Sequence, residues 1–135
     1  MKTVTVSASR RYDILIERGL LQRAGELVRG VTNAGTVMLV SDDSVWPLYG
    51  ETVQKSLADA GFSVCRFVFP HGEGSKCAKT YLALLDALCE NRLTRADAAL
   101  ALGGGVVGDL TGFAASTYLR LSLIHISEPT RQAEI

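Results

Sequence analysis

The chain contains 135 residues, of which 47% are hydrophobic, and its 14 basic residues balance its 14 acidic ones. This length suits one domain with a real core, and the balanced charge argues against nucleic acid as a partner. No apolar run approaches the ~18 residues of a membrane span, and the N-terminus lacks a signal-peptide core, so we expect a cytoplasmic protein with no membrane partner.

The cysteines and histidines are too scattered to indicate a metal centre. Cys65, Cys77 and Cys89 are odd in number and show no C-x-x-C spacing, which predicts reduced, part-buried thiols. His71 and His125 are the two histidines of the chain, and they share no metal-ligand spacing. We therefore expect no metal ligands and no complete zinc site in this chain.

The first part of the chain predicts a hairpin, a helix and a buried strand. Polar and apolar residues alternate over 3–8 and 12–17, which is typical of two paired strands. Apolar residues at helical spacing predict a helix over 19–29. The wholly apolar run 37–40 predicts a strand over 36–41 that is buried on both faces, as in a parallel sheet.

The rest of the chain continues to alternate between strand and helix. The pattern predicts helices over 47–60, 77–90 and 106–118, and strands over 62–69 and 98–102. We expect the apolar stripes of the last two helices to face the core; they are Tyr81, Leu82, Leu84, Leu85 and Leu88, and Val106, Val107, Leu110, Phe113 and Ala114. This order of elements is typical of an α/β fold with a mainly parallel sheet.

Two carboxylates, Asp42 and Asp43, follow the first buried strand. Ligands of open α/β sheets bind outside the carboxyl ends of the strands, where an aspartate can accept a hydrogen bond from a ribose hydroxyl. An aspartate at this place can equally cap the next helix, and for Asp43 we favour capping.

The polar loop 70–76 follows the next strand and carries Glu73 and Lys76. An acceptor and a cation close together suit a ribose and a neighbouring polar group. A plain polar connection without a ligand is the alternative.

Three consecutive glycines, Gly103, Gly104 and Gly105, separate the last strand from the last helix. Glycine lets the backbone approach a phosphate, and the first amides of a helix attract anions, so the turn predicts a phosphate or pyrophosphate site. Gly103, Gly105 and Gly108 fit G-x-G-x-x-G, but no acidic residue follows at the usual distance, so this motif alone is weak. A tight turn without a ligand is the alternative.

Two charged residues follow the glycine turn. Asp109 stands where a P-loop requires lysine, which excludes a triphosphate loop of that kind. Arg120 follows the predicted helix, where it either stabilises the helix dipole or contacts an anion through its forked guanidinium.

Three segments in order resemble one known family. They are Ser41 with Asp42, the loop PHGEGSK at 70–76, and GGGVVGDLTGFAASTYLR at 103–120. Together they closely resemble the N-terminal, nucleotide-binding domain of 3-dehydroquinate synthase over residues 1–120. The resemblance implies a Rossmann-like, NAD-binding α/β domain with a mainly parallel sheet and an N-terminal β-hairpin.

The resemblance also implies roles for particular residues. Asp42, Glu73 and Lys76 would contact the ribose and neighbouring groups of NAD. The pyrophosphate would lie along the glycine turn and the first turn of the helix, formed by Gly104, Gly105, Val106, Val107 and Gly108, with Asp109 near the nicotinamide. Arg120 would reach a substrate phosphate across a homodimer interface.

Members of this family convert 3-deoxy-arabino-heptulosonate 7-phosphate to 3-dehydroquinate and phosphate in the shikimate pathway. The resemblance implies transient oxidation of a ring hydroxyl by NAD, elimination of phosphate and return of the hydride, with zinc or cobalt bound by a helical C-terminal domain. That domain is missing here, so we expect the chain to be inactive by itself. The alternatives are another sugar-phosphate cyclase, a glycerol-dehydrogenase-like enzyme, or a stand-alone nucleotide-binding module.

The last segment, 121–135, departs from the family pattern. Residues 121–131 resemble one reading frame of a transposase adapter used in sequencing libraries, so we interpret 121–135 as a non-native tail. A natural short tail is the alternative, in which Leu123 and Ile124 belong to an edge strand.

Overall fold

The structure, a computed structural model, describes residues 2–6, 12–16, 20–118 and 122–126. Its strands are β1 (Lys2–Val6), β2 (Tyr12–Ile16), β3 (Thr36–Asp42), β4 (Ser63–Phe69), β5 (Ala98–Leu102) and β6 (Ser122–Ile126). Its helices are α1 (Ala24–Val31), α2 (Glu51–Asp59), α3 (Ala78–Glu90) and α4 (Gly105–Thr117). None of the helices in these ranges is long and apolar enough to cross a membrane.

The strands form two sheets. β1 and β2 pair antiparallel, which confirms the predicted hairpin. The other four strands form a parallel sheet in the order β4-β3-β5-β6. The α/β prediction with a mainly parallel sheet and an N-terminal hairpin is therefore confirmed.

The parallel sheet lies between two layers of helices. Successive side chains of a strand point to opposite faces of the sheet, so one strand can pack against both layers. Met38 and Val40 of β3 pack with buried residues of α3 and α4, including Leu84 and Leu110. Val37 and Leu39 pack instead with residues of α1 and α2. The apolar run 37–40 thus reflects burial on both faces of a central strand, as predicted.

The strand order places a topological switch point between β3 and β5. The chain leaves β3 to form β4 on one side, and then returns to form β5 on the other side of β3. The loops that follow the two strands therefore diverge, and a crevice opens at their carboxyl ends, which is where ligands of such sheets bind. Asp42 ends β3, and the glycine turn follows β5.

The buried stripe of α4 differs from the predicted one. Phe113 is 58% exposed, and the stripe that faces the sheet includes Thr111 and Ala115 instead. Small side chains let the helix lie close to the sheet, and the Thr111 hydroxyl is satisfied by donating to the Val107 carbonyl oxygen at 2.7 Å. The Phe113 ring packs beside Tyr81 of α3, with 4.7 Å between ring centroids.

The α3 stripe is also narrower than predicted, because Leu82 is 55% exposed. Leu84 and Leu88, one helical turn apart, are buried against the sheet. Since Leu82 lies two positions before Leu84, it points to the opposite side of the helix.

Two predicted helices begin differently in the structure. The helix predicted over 19–29 is a 3₁₀ turn, Leu20–Arg23, followed by α1. The helix predicted over 47–60 begins as a short π-helical segment, Trp46–Gly50, before α2. In this segment the Trp46 ring packs closely on Gly50, and a Cβ added to Gly50 would lie 2.2 Å from a ring atom of Trp46.

Residues 122–126 form the edge strand β6, parallel to β5. Leu123 and Ile124 therefore belong to an edge strand, which both a natural and a non-native tail allow. The origin of 121–135 as a translated adapter, and the domain boundary at residue 120, stay predictions.

Candidate functional site at the carboxyl ends of the strands

The carboxyl ends of β3 and β5 are joined by a buried hydroxyl. Ser41, which is fully buried, donates from Oγ to the carbonyl oxygen of Leu102 at 2.8 Å. This bond fixes the end of β5, and hence the glycine turn, beside Asp42. Ser41 directly follows the apolar run 37–40, and a hydroxyl at the end of a buried strand is the signal by which the sequence could have indicated this role.

Asp42 forms the turn that follows β3. Its side chain is largely buried, and its Oδ1 accepts from Ser44 N at 3.1 Å, Ser44 Oγ at 2.9 Å and Val45 N at 2.8 Å. All three of these hydrogen bonds are accepted by Oδ1. Asp42 thus stabilises the turn 43–45, and the helical segment Trp46–Gly50 that follows has no side-chain cap.

Asp43 contacts the loop after β4 instead of capping a helix, which corrects the prediction. Its Oδ1 accepts from the backbone N–H of His71 at 2.9 Å and lies 2.5 Å from the ring Nδ1 of the same residue. Its own N–H donates to the carbonyl oxygen of Phe69 at 2.9 Å. The two loops that follow β3 and β4 are therefore joined at Asp43.

The loop 70–76 carries Glu73 and Lys76, which are both exposed. A 3₁₀ turn over Glu73–Ser75 brings Lys76 toward α4, where its Nζ donates to Asp109 Oδ2 at 3.0 Å. Asp109 raises the pKa of Lys76 through this hydrogen bond and through its charge, and the charge of Glu73 adds to the effect. The structure thus brings Lys76 and Asp109 together, with the charge of Glu73 nearby.

The glycine turn between β5 and α4 requires glycine at one position and leaves space at two others. Gly103 has φ +147°, a conformation that favours glycine, and a Cβ there would lie 2.9 Å from Val107 Cγ2. A Cβ at Gly104 or Gly105 would meet no heavy atom within 4 Å. The backbone at these two residues is therefore open to a ligand.

The start of α4 limits which of its residues can bind an anion. The Gly108 amide donates to the Gly104 carbonyl oxygen at 3.0 Å, so this amide is already engaged within the helix. The Val107 side chain is fully buried. The amides of Gly105, Val106 and Val107 precede that helical hydrogen bond and lie at the positive end of the helix dipole. Gly108 is therefore a poor contact for pyrophosphate, and Val107 can contribute only its amide.

His125 of β6 lies against the glycine turn. Its Nε2 is 3.0 Å from the carbonyl oxygen of Gly103, and its Cε1 lies 2.8 Å from where a Cβ on Gly108 would be. Gly108 thus serves the packing of β6 on α4. Among the described residues there is no group of three or more histidine, cysteine or acidic side chains placed to hold a metal ion.

Arg120, predicted to contact a substrate phosphate, lies outside the described residues. All three cysteines are free thiols, but Cys77 and Cys89 are exposed and only Cys65 is partly buried, which corrects the part-buried prediction for two of them.

Cys77 should react with iodoacetamide several times faster than Cys65 at pH 8. Hydrogen bonding to Thr80 lowers the pKa of the exposed Cys77 thiol, whereas burial raises the pKa of Cys65, and the thiolate is the reactive form. Timed alkylation followed by peptide mass spectrometry measures both rates in one sample. Earlier labelling of Cys65 would contradict this assignment.

Comparisons with known proteins point to one family. Residues 66–131 match the 3-dehydroquinate synthase N-terminal family. The chain is 47% identical over 120 residues to the 3-dehydroquinate synthase of Streptococcus suis, and 40% identical over 131 residues to that of Clostridium acetobutylicum. The chain belongs to the 3-dehydroquinate synthase family. The alignments cover 89% and 96% of this chain but only 34% and 36% of the relatives, so the chain spans about a third of their length.

Two solved structures share the fold of this chain. A 2-deoxy-scyllo-inosose synthase superposes with a TM-score of 0.81 at 22% identity, covering 93% of this chain and 36% of that one. A 2-epi-5-epi-valiolone synthase from Streptomyces hygroscopicus, solved with NAD+ and Zn2+ bound, superposes with a TM-score of 0.69 at 28% identity. This superposition covers 92% of the present chain and 34% of the valiolone synthase. At 22% identity, the likeness to the 2-deoxy-scyllo-inosose synthase shows the fold alone.

Proposed function

We propose that this chain binds NAD across the carboxyl ends of β3 and β5, as the nucleotide-binding part of a 3-dehydroquinate synthase. The observation that carries the proposal is the open backbone at Gly104 and Gly105, at the start of α4 and at the switch point of the sheet. The donor set suits a dinucleotide, because helix amides bind pyrophosphate while carboxylates accept ribose hydroxyls. The similar valiolone synthase is solved with NAD+ bound, which supports the same cofactor here.

In this proposal each part of the site binds a different part of NAD. The amides of Gly105 and Val106, beside Gly104, bind the pyrophosphate. Asp42 Oδ2 and Glu73 accept hydrogen bonds from ribose hydroxyls. Lys76 contacts a neighbouring polar group, and its ion pair with Asp109 holds the loop 70–76 near the nicotinamide end.

We further propose that the complete enzyme converts 3-deoxy-arabino-heptulosonate 7-phosphate to 3-dehydroquinate and phosphate in the shikimate pathway, in the cytoplasm. NAD, when bound, would supply a reversible acceptor for the hydride of the ring carbon that bears the oxidised hydroxyl. The role of this chain is to hold NAD at a fixed place beside the sugar phosphate. Arg120 contacts the phosphate group of the substrate across a homodimer interface. The name carried by relatives 40 to 49% identical favours this substrate over those of other cyclases, which are less similar.

The metal of the complete enzyme, zinc or cobalt, is not assigned to the described part of this chain. That part brings together no cluster of metal-ligating side chains. We therefore assign to it the binding of NAD and no step that uses the metal.

Replacing Gly105 by alanine tests the proposed cofactor site. Because an added Cβ meets no protein atom within 4 Å, the fold should be unaffected, and alanine at a helix start should leave the melting temperature equal or slightly higher. The methyl group occupies the space of the pyrophosphate, so we expect NAD to bind at least about tenfold more weakly, measured by calorimetric titration of the 135-residue chain.

The matched control is Gly30→Ala, an exposed helix glycine that also has nothing within 4 Å of an added Cβ. This variant should bind NAD like the unmodified chain. Equal NAD affinity of Gly105→Ala and Gly30→Ala would contradict the proposed position of the pyrophosphate. No binding of NAD by the unmodified chain would contradict the proposed function itself.

A further inference from the structure

The pair formed by Asp43 and His71 lies next to the proposed nucleotide site but contributes none of its contacts. Asp43 binds the chain on both sides of Pro70, through its N–H to the Phe69 carbonyl oxygen and through its carboxylate to the His71 backbone N–H. The His71 ring adds a second contact to the same carboxylate oxygen. The entry to the loop 70–76 is therefore fixed on the end of β3 by one side chain.

The remainder of the loop is fixed at two further places. The Ser75 hydroxyl donates to the Pro70 carbonyl oxygen and is buried, and Lys76 is bonded to Asp109 of α4. Glu73 lies between these attachments on an exposed 3₁₀ turn. Because the loop is short and held at both ends, the attachment at His71 limits how far Glu73 and Lys76 can move.

We propose that Asp43 and His71 are positioning residues, which hold Glu73 and Lys76 in place for NAD and make the affinity for NAD depend on the protonation of His71. The inference rests on the proposed NAD site, and it adds a pH dependence that the site residues themselves do not imply. Both side chains are more than half exposed, so the pair equilibrates directly with the solvent pH.

The charges around the ring set the direction of the effect. Asp43 raises the pKa of His71 by its hydrogen bond and its charge, and the charge of Asp42, also at the end of β3, adds to this. His71 in turn lowers the pKa of Asp43. On the loop itself, Lys76 is engaged by Asp109, with Glu73 near it, and its raised pKa keeps it charged throughout.

The sign of the pH dependence follows from these shifts. A histidine whose pKa is raised in the folded protein stabilises its contact fully when the pH is below its ordinary pKa, about 6.5. This stabilisation is lost as the pH rises through the raised pKa. Asp43 remains ionised throughout that interval, because its own pKa is lowered. The loop is therefore held most firmly in mildly acidic solution and less firmly above neutrality.

The test measures NAD affinity and histidine titration in the full chain. We expect the dissociation constant for NAD to rise about two- to fivefold between pH 6 and pH 8.5, the range that one exposed ion pair supports. His71→Asn keeps a donor near the position of Nδ1 but cannot titrate, so its affinity should be independent of pH. Asp43→Asn should also remove the dependence, and in NMR spectra it should return the titration of His71 to an ordinary value.

Controls separate this effect from other titrating groups. Cys77→Ser removes the neighbouring thiol and should keep the full pH dependence. His125, the second histidine, remains in every variant, so a dependence that survives His71→Asn would assign the effect elsewhere and overturn the inference. An unperturbed titration of His71 in the unmodified chain would also overturn it. Binding of NAD that does not vary with pH overturns the inference alone, whereas no binding at either pH overturns the proposed function as well.

Discussion

Replacing Gly25 by alanine should lower the free energy of unfolding by about 3 kcal/mol, at the upper end of the usual cost of overpacking. Gly25 is buried in α1 where this helix crosses α2, and an added Cβ would lie 2.0 Å from the carbonyl oxygen of Ser56 and 2.6 Å from its carbonyl carbon. Both atoms are backbone, so no side-chain rotation relieves the overlap. The two helices must move apart.

Separation of the helices also breaks a hydrogen-bonded connection between them. The Gly25 N–H donates to Ser56 Oγ at 2.8 Å, and Ser56 Oγ donates to the Gln22 carbonyl oxygen at 3.1 Å. Ala24, Val28 and Leu57 around this crossing are buried, so the movement also loosens the apolar layer on this face of the sheet. Thermal unfolding followed by circular dichroism should show a melting temperature lower by roughly 10 °C.

Gly30→Ala is the control within the same helix. Gly30 is exposed, and an added Cβ meets nothing within 4 Å, so alanine should stabilise the chain by about 0.5 kcal/mol through its better helix propensity. If Gly25→Ala lowers the free energy of unfolding and Gly30→Ala raises it, the loss of stability comes from the crossing of α1 and α2 and not from the removal of a glycine. Equal melting temperatures would contradict the close approach of the two helices.

The architecture could be predicted from the sequence where burial alone determines it. The runs 37–40 and 98–102 are apolar at every position, which only a strand covered on both faces accommodates, and both are central strands of the sheet. The glycine turn after the second run was also predictable, because three glycines between a buried strand and a helix leave few other conformations for the connection.

Features determined by distant contacts could not be predicted. Local spacing allowed either Asp42 or Asp43 to cap the next turn, and the choice depends on His71, which is 28 residues from Asp43 in the chain. The π-helical segment at Trp46 likewise depends on how its ring packs on Gly50. The exposed position of Phe113 follows from the preference of the sheet for the smaller residues Thr111 and Ala115, which becomes clear only when α4 is seen packed on the sheet.

Asp42 combines a structural role with a proposed binding role, and two substitutions separate them. Asp42→Ala removes the acceptor of Ser44 N and Val45 N, and leaving such amides without a partner should cost about 2 kcal/mol. Asp42→Asn keeps an oxygen at the position of Oδ1, so the turn and most of the stability should remain.

The two variants should also differ in how their NAD affinity relates to their stability. Asp42→Asn loses the negative charge that strengthens a hydrogen bond from a ribose hydroxyl, so we expect NAD to bind about tenfold more weakly to a chain that is still well folded. Ser44→Ala is the matched control, because it removes one donor to Oδ1, at 2.9 Å, and leaves the carboxylate charged. Its affinity should stay within about twofold of the unmodified chain, because Ser44 N and Val45 N still donate to Oδ1 and hold the carboxylate in place.

Calorimetric titration and thermal unfolding of the three variants decide between two roles of Asp42. If Asp42 only forms the turn, NAD affinity will follow stability, and Asp42→Asn will bind like Ser44→Ala. If Asp42 also contacts the ribose, Asp42→Asn will lose affinity without a matching loss of stability. The second result is the one we expect, because the carboxylate lies at the end of β3 beside the open glycine turn, which Ser41 holds in place through Leu102.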